Sequence, residues 1–132
     1  MSQIEGLSAV TFNTRDMARA VGFYDALGFE QIYGGESADF TSFRAGSGFL
    51  NLAQATDPGP LAGWGRAVFY VKDVDAMHAR VIESGFTAEF EPRNAAWGER
   101  YFHVRDPDGH ELSFARLISA GEYNWSCPIG SS

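Results

Sequence analysis

His103, His110 and Glu111 are the residue types near the C-terminal end that could do proton or metal chemistry. An imidazole titrates near neutral pH, so a histidine on an open face can act as acid or base or bond a ligand. Imidazole nitrogen and carboxylate oxygen are also the ordinary ligands of divalent cations. Between the two histidines lies Asp106-Pro107-Asp108-Gly109, a strong turn signal. The flanking segments should therefore fold back on each other as a hairpin. Alternation then puts Tyr101, His103 and Arg105 on one face with Glu111, Ser113 and Ala115, and leaves His110 at the turn, pointing away. Two candidate ligands fall short of an ordinary metal centre, and no catalytic partner is visible beside His103. Two roles stay open for His103: acid–base or ligand-binding work, or a bond to neighbouring backbone or to Glu111.

The same alternation puts Arg66, Val68 and Tyr70 on one face of an earlier strand, and Phe49, Asn51 and Ala53 on one face of another. Arg66 is a permanent cation that seeks a carboxylate or phosphate. Its partner could be Glu111, Glu99 or an anionic group of a ligand. Trp64 precedes the Arg66 strand and Trp97 precedes the His103 strand. Each is a candidate wall for a flat ligand or a cap on the end of the fold. Trp97 is read as a loop residue whose removal should spare folding.

The elements that must position these residues are written twice. Leu7 to Phe12 is β-rich; Asp16 caps a helical stripe of Met17, Ala20, Val21, Tyr24 and Leu27, and Gly28 ends it before Phe29. Ala67 to Val71, the cap Asp73, the stripe Val74, Met77, Val81 and Ile82, the stop Gly85 and Phe86 repeat the pattern. The pairs Asp16/Asp73, Gly28/Gly85 and Phe29/Phe86 share one offset of 57 residues (73 less 16). Period-two segments follow each helix: Glu30 to Tyr33, Asp39 to Arg44 and Phe49 to Ala53, then Thr87 to Glu91, Tyr101 to Arg105 and Glu111 to Ala115. We read a tandem strand–helix–strand–strand–strand unit. The modules cover about 7–53 and 66–117, with a Pro- and Gly-rich linker at 54–65. Together they form one domain over 1–118, and a polar tail follows at 119–132.

Composition narrows the partners. The 132 residues carry 17 acidic and 10 basic side chains, a formal charge of −7, which argues against nucleic acid. Aromatics make up 14%, enough to line a cavity with rings. A lone cysteine, Cys127, excludes an intrachain disulfide and a thiolate zinc site. No apolar run approaches ~20 residues and no signal-peptide pattern is present, so a cytoplasmic location without a membrane span is the expectation.

The repeat, the Phe23-Tyr24-x-x-Leu27-Gly28-Phe29 helix end and the Asp106 to Leu112 turn resemble the vicinal oxygen chelate superfamily, which includes glyoxalase I, extradiol dioxygenases and bleomycin-resistance proteins. The resemblance spans about residues 7 to 117. The elements Trp97-Gly98-Glu99-Arg100 and Arg105-Asp106-Pro107-Asp108-Gly109 are most similar to the bleomycin-resistance branch. It implies an α+β fold of two βαβββ modules in a curled, cup-like mixed sheet with helices outside. The family's usual metal-ligand positions correspond to Ala9, Asn51, Arg66 and Ser113, none of them His, Glu or Asp.

The resemblance therefore implies a metal-independent protein without cofactor that binds an aromatic or cationic small molecule such as an antibiotic. Trp64, Arg66, Trp97, Tyr101, His103, Asn51, Ser113 and Glu111 would be its ligand residues, and a homodimer its assembly. The alternative is a lyase, isomerase or extradiol-type dioxygenase using an atypical divalent metal site or His103 as acid or base.

Overall fold

In the computed structural model, residues 2–118 are described. Both helices are ten residues long, α1 at Met17–Ala26 and α2 at Val74–Glu83. They begin alike. Asp16 and Asp73 hold extended backbone, and their carboxylates accept from the N–H of Arg19 and of Ala76, each at 3.0 Å. Each cap satisfies a donor that the first helical turn leaves without a partner. Both helices end before a glycine of positive φ, Gly28 at 95° and Gly85 at 91°. Side chains are strained in that region, so glycine is the residue that stops the helix there.

The strands form two four-stranded sheets. The first holds β1 (Ala9–Thr14), β2 (Glu30–Tyr33), β3 (Phe40–Ala45) and β4 (Gly48–Gln54), in the order β1-β4-β3-β2. β1 runs parallel to β4, with Thr11 opposite Asn51, while β3 runs antiparallel to its neighbours. The second holds β5 (Arg66–Tyr70), β6 (Arg93–Asn94), β7 (Glu99–Arg105) and β8 (Glu111–Leu117), in the order β5-β8-β7-β6. The strand order is the same in both, as a duplicated unit requires. Neither sheet closes into a barrel, and the fold is α+β.

One expected strand is missing. Thr87 to Glu91 makes only an isolated bridge, Ala88 to Val104, and pairing with β7 resumes at Arg93. Pro92 lies between, and a residue without an N–H cannot continue a ladder. The tail at 119–132, with Cys127, lies outside the described residues.

The chain packs as two compact units. One comprises the residues up to Ala67 with Arg105–Glu111; the other comprises Val68–Val104 with the chain from Leu112 on. The first unit buries Phe12, Val21, Phe23, Tyr24, Phe43, Leu50 and Leu52. Its rings meet at Tyr24 and Phe43, 5.7 Å apart. The second unit buries Val74, Val81, Phe102, Val104, Leu112 and Phe114. Phe102 meets the edge of His78 from α2 at 5.1 Å and lies 5.6 Å from Phe114. The even-numbered residues of β7 and β8 thus face α2, and the odd-numbered ones occupy the opposite face, helix-free among the described residues of this unit.

The turn of the β7–β8 hairpin belongs to the first unit, and there His110 sits at the turn and points away from the face of His103 and Glu111, as alternation expects, into the core. It points inward and is 1% exposed, with its ring 4.8 Å from Phe12. Trp64 Nε1 donates to its Nδ1 at 2.8 Å, and its Nε2 lies 2.8 Å from the Asn13 carbonyl. An indole can only donate, so Nδ1 accepts and Nε2 carries the proton. The turn packs down because Asp106 is buried and accepts the N–H groups of Asp108 and His110, both at 2.9 Å.

Candidate ligand-binding site

The helix-free face of the second sheet gathers most of the residues singled out from sequence. Arg66 comes from β5, Tyr101 and His103 from β7, and Glu111 and Ser113 from β8. Aromatic rings lie together here. Trp97 is 5.8 Å from Tyr101, Tyr101 is 5.3 Å from His103, and Phe90 is 5.6 Å from Tyr101 and 5.0 Å from His103. The guanidinium of Arg93, the β6 residue opposite Tyr101, rests 3.7 Å from the Phe90 ring centre. Such a ring face attracts cations through its quadrupole.

Glu99 opens β7 on this face and is only 3% exposed. Its Oε1 accepts from Trp97 Nε1 at 2.9 Å and its Oε2 from the Tyr70 hydroxyl at 2.7 Å. Tyr70 lies on β5 and Glu99 on β7, with β8 between them in the sheet. Two long side chains therefore meet over a strand whose residues on this face include the small Ser113 and Ala115. Sequence reasoning met Glu99 as a possible partner of Arg66 and as one residue of the Trp97-Gly98-Glu99-Arg100 element, with no role of its own at the site. Its burial depends on Tyr70, 29 residues away, which no local pattern announces.

Arg66 instead pairs with Glu111, Nε to Oε1 at 2.6 Å, and Arg105 approaches the other carboxylate oxygen at 3.6 Å. His103 is buried and Ser113 fully so. The ligand atoms of Glu89, His103 and Glu111 lie within 4.8 Å of one another. Glu89 is the residue that reading the sequence missed. Its backbone N–H donates to the His103 carbonyl at 2.8 Å, which fixes it beside β7. The only sequence signal was its place in a segment expected to pair.

Two predicted residues, Asn51 and Trp64, lie off the second sheet. Asn51 of β4 accepts from the Ser42 hydroxyl at 2.7 Å and donates to Thr11 at 3.3 Å, which forms a neutral polar row across three strands. Trp64 is half-exposed and is held by His110 and by Phe12, whose ring is 5.5 Å away. The four positions that the resemblance assigns to a metal carry side chains that do not fit one. Ala9 has no donor, Asn51 and Ser113 are weak neutral ligands, and Arg66 is a cation committed to Glu111.

Residues 6–114 match the family model of the Glyoxalase/Bleomycin resistance protein/Dioxygenase superfamily, and the chain belongs to that superfamily. The fold is similar to TioX from Micromonospora sp. ML1, with a TM-score of 0.73 at 23% identity over 85% of this chain and 98% of that one. It is similar to a bleomycin resistance determinant encoded on the transposon Tn5, with a TM-score of 0.72 at 20% identity over 86% and 99%. Lactoylglutathione lyase from Agrobacterium tumefaciens gives 0.69 at 21% identity over 85% and 93%. No curated protein sequence matches the chain.

Proposed function

We propose that this chain is a binding protein for a small aromatic compound, held on the helix-free face of the second sheet without a metal at the superfamily's usual positions. The carrying observation is the ring cluster of Trp97, Tyr101 and Phe90 on that face, with neighbouring centroids 5.8 Å and 5.6 Å apart. Rings at that spacing present flat apolar surface on which a planar ligand can stack. The named bleomycin resistance determinant of similar fold makes an antibiotic a reasonable first ligand to try. The reading places the protein in the cytoplasm; no described helix is long and apolar enough to cross a membrane. Tryptophan fluorescence titrated with glycopeptide, planar aromatic and cationic compounds tests the proposal. Silence across that panel, together with turnover of an oxo-aldehyde or a catechol, would overturn it.

A homodimer is part of the proposal. β2 is an edge strand exposed over its whole length, with Ile32 and Tyr33 uncovered, and such edges invite a partner. Sedimentation at micromolar concentration should give twice the monomer mass; a monomer would remove this part.

One observation favours a second reading, an enzyme. Glu89, His103 and Glu111 could together hold a divalent cation. Elemental analysis of protein purified without chelator decides between the readings, because stoichiometric iron, manganese, nickel or zinc would favour the enzyme.

A further inference from the structure

We propose that Glu99 is the anionic end of a subsite for an organic cation, an ammonium or guanidinium group carried on an apolar body. This rests on the binding reading above and adds the charge class of the ligand. A carboxylate taken out of water is costly unless its charge is matched. Glu99 is almost completely buried, yet its two hydrogen-bond partners, Tyr70 Oη and Trp97 Nε1, are neutral donors. Among the described residues no ion pair reaches it. The nearby cations are committed elsewhere: Arg66 to Glu111, Arg100 to Asp75 at 2.8 Å, and Arg93 to the face of Phe90.

A carboxylate offers about four lone-pair sites, and two are used here. The remaining two can receive N–H groups of a cation. The flanking rings suit the same guest. Tyr70 and Trp97 meet the carboxylate with their polar edges, the hydroxyl and the indole N–H, and Tyr101 lies 5.8 Å from Trp97; the faces of such rings can hold an ammonium or guanidinium and stack its apolar body. The side chain of Arg93 already makes this kind of contact with Phe90 at 3.7 Å. An anion would meet the Glu99 charge directly and should be rejected.

Calorimetric titration with three compounds of one shape tests the inference: phenethylamine as cation, 2-phenylethanol as neutral counterpart and phenylacetate as anion. The expected order is cation first, by roughly tenfold or more over the alcohol, with the anion weakest. In Glu99→Gln the preference for the amine over the alcohol should shrink to about twofold or less. Equal binding of amine and alcohol to the wild type, or an amine preference that survives Glu99→Gln, would overturn the inference and leave the binding function standing. Failure of all three compounds to bind would also overturn the inference, and the fluorescence panel above then decides the binding reading separately. Should Glu99→Gln not fold, Tyr70→Phe, which keeps the charge, decides: a retained amine preference supports the subsite, and a lost preference refutes it.

Discussion

Tyr24 of α1 donates a buried hydrogen bond of 2.7 Å to the carboxylate of Asp106, 82 residues further along the chain. Burial pushes the Tyr24 phenol well above its ordinary value, and the neighbouring Asp106 and Asp108 charges add to the rise. The phenol therefore stays a donor at every pH the protein meets. Tyr24→Phe should remove that donor and leave a buried carboxylate short of one bond. The expected cost is about 1–3 kcal/mol, read as a lower urea midpoint with an unchanged slope. An unchanged midpoint would show that water replaces the bond.

Asp106 gives a pH prediction with a definite sign. Burial raises its carboxyl above the ordinary value, although bonds from Tyr24, His110 and Asp108 pull it down. The folded state then holds the proton to a higher pH than the unfolded state does. Over that window the wild type loses stability as pH rises, and above the raised value the effect is flat. Asp106→Asn carries no such charge. Melting temperatures from about pH 3 to 7 should show the Asn variant gaining on the wild type as pH rises. A variant that loses ground instead would mean that the folded state prefers the ionised carboxylate.

Trp97 does two things, so its substitutions should separate. Trp97→Ala removes a ring worth ~1 kcal/mol beyond its area, and binding of a planar ligand should fall tenfold or more. The sequence alone suggested that folding would be spared, but the indole also donates to buried Glu99. An added stability loss of about 1–3 kcal/mol is therefore expected. Trp97→Phe should keep much of the stacking and still show the stability loss. Equal stability of all three proteins would count against the Glu99 bond.

His103 separates binding from turnover. In a binding protein His103→Ala should cost about 0.5–1.5 kcal/mol of affinity, the value of one hydrogen bond. In an enzyme it should lower turnover by ~100-fold or more while binding persists. Chelator should leave the melting temperature unchanged if no cation sits at Glu89, His103 and Glu111, since an empty site adds no binding energy. A clear drop on chelation would favour the enzyme reading.

Local signals were legible and long-range ones were not. Asp16 and Asp73 announced both helix starts because a cap acts over three residues, and Gly28 and Gly85 announced both stops. Alternation alone placed Tyr101, His103, Glu111 and Ser113 on one face, and the charge of Arg66 left Glu111, Glu99 or a ligand's anion as its partner, of which the fold takes Glu111. The inward turn of His110 depends on Trp64, 46 residues earlier, and the burial of Glu99 depends on Tyr70. Those pairings follow from which strands become neighbours, so no spacing rule within one segment could reveal them.

The residues at 105–111 that complete the first unit are among the last of the domain to be synthesised. While the ribosome is still making the second helix, Thr14 and the backbone of Arg15 wait for Asp108, Tyr24 waits for Asp106, and Trp64 waits for His110. The first half of the message therefore encodes a module that cannot finish folding on its own schedule. A nascent chain stalled before the hairpin turn emerges should be open to proteases and chaperones in its N-terminal half. A release of only a few residues more should close it.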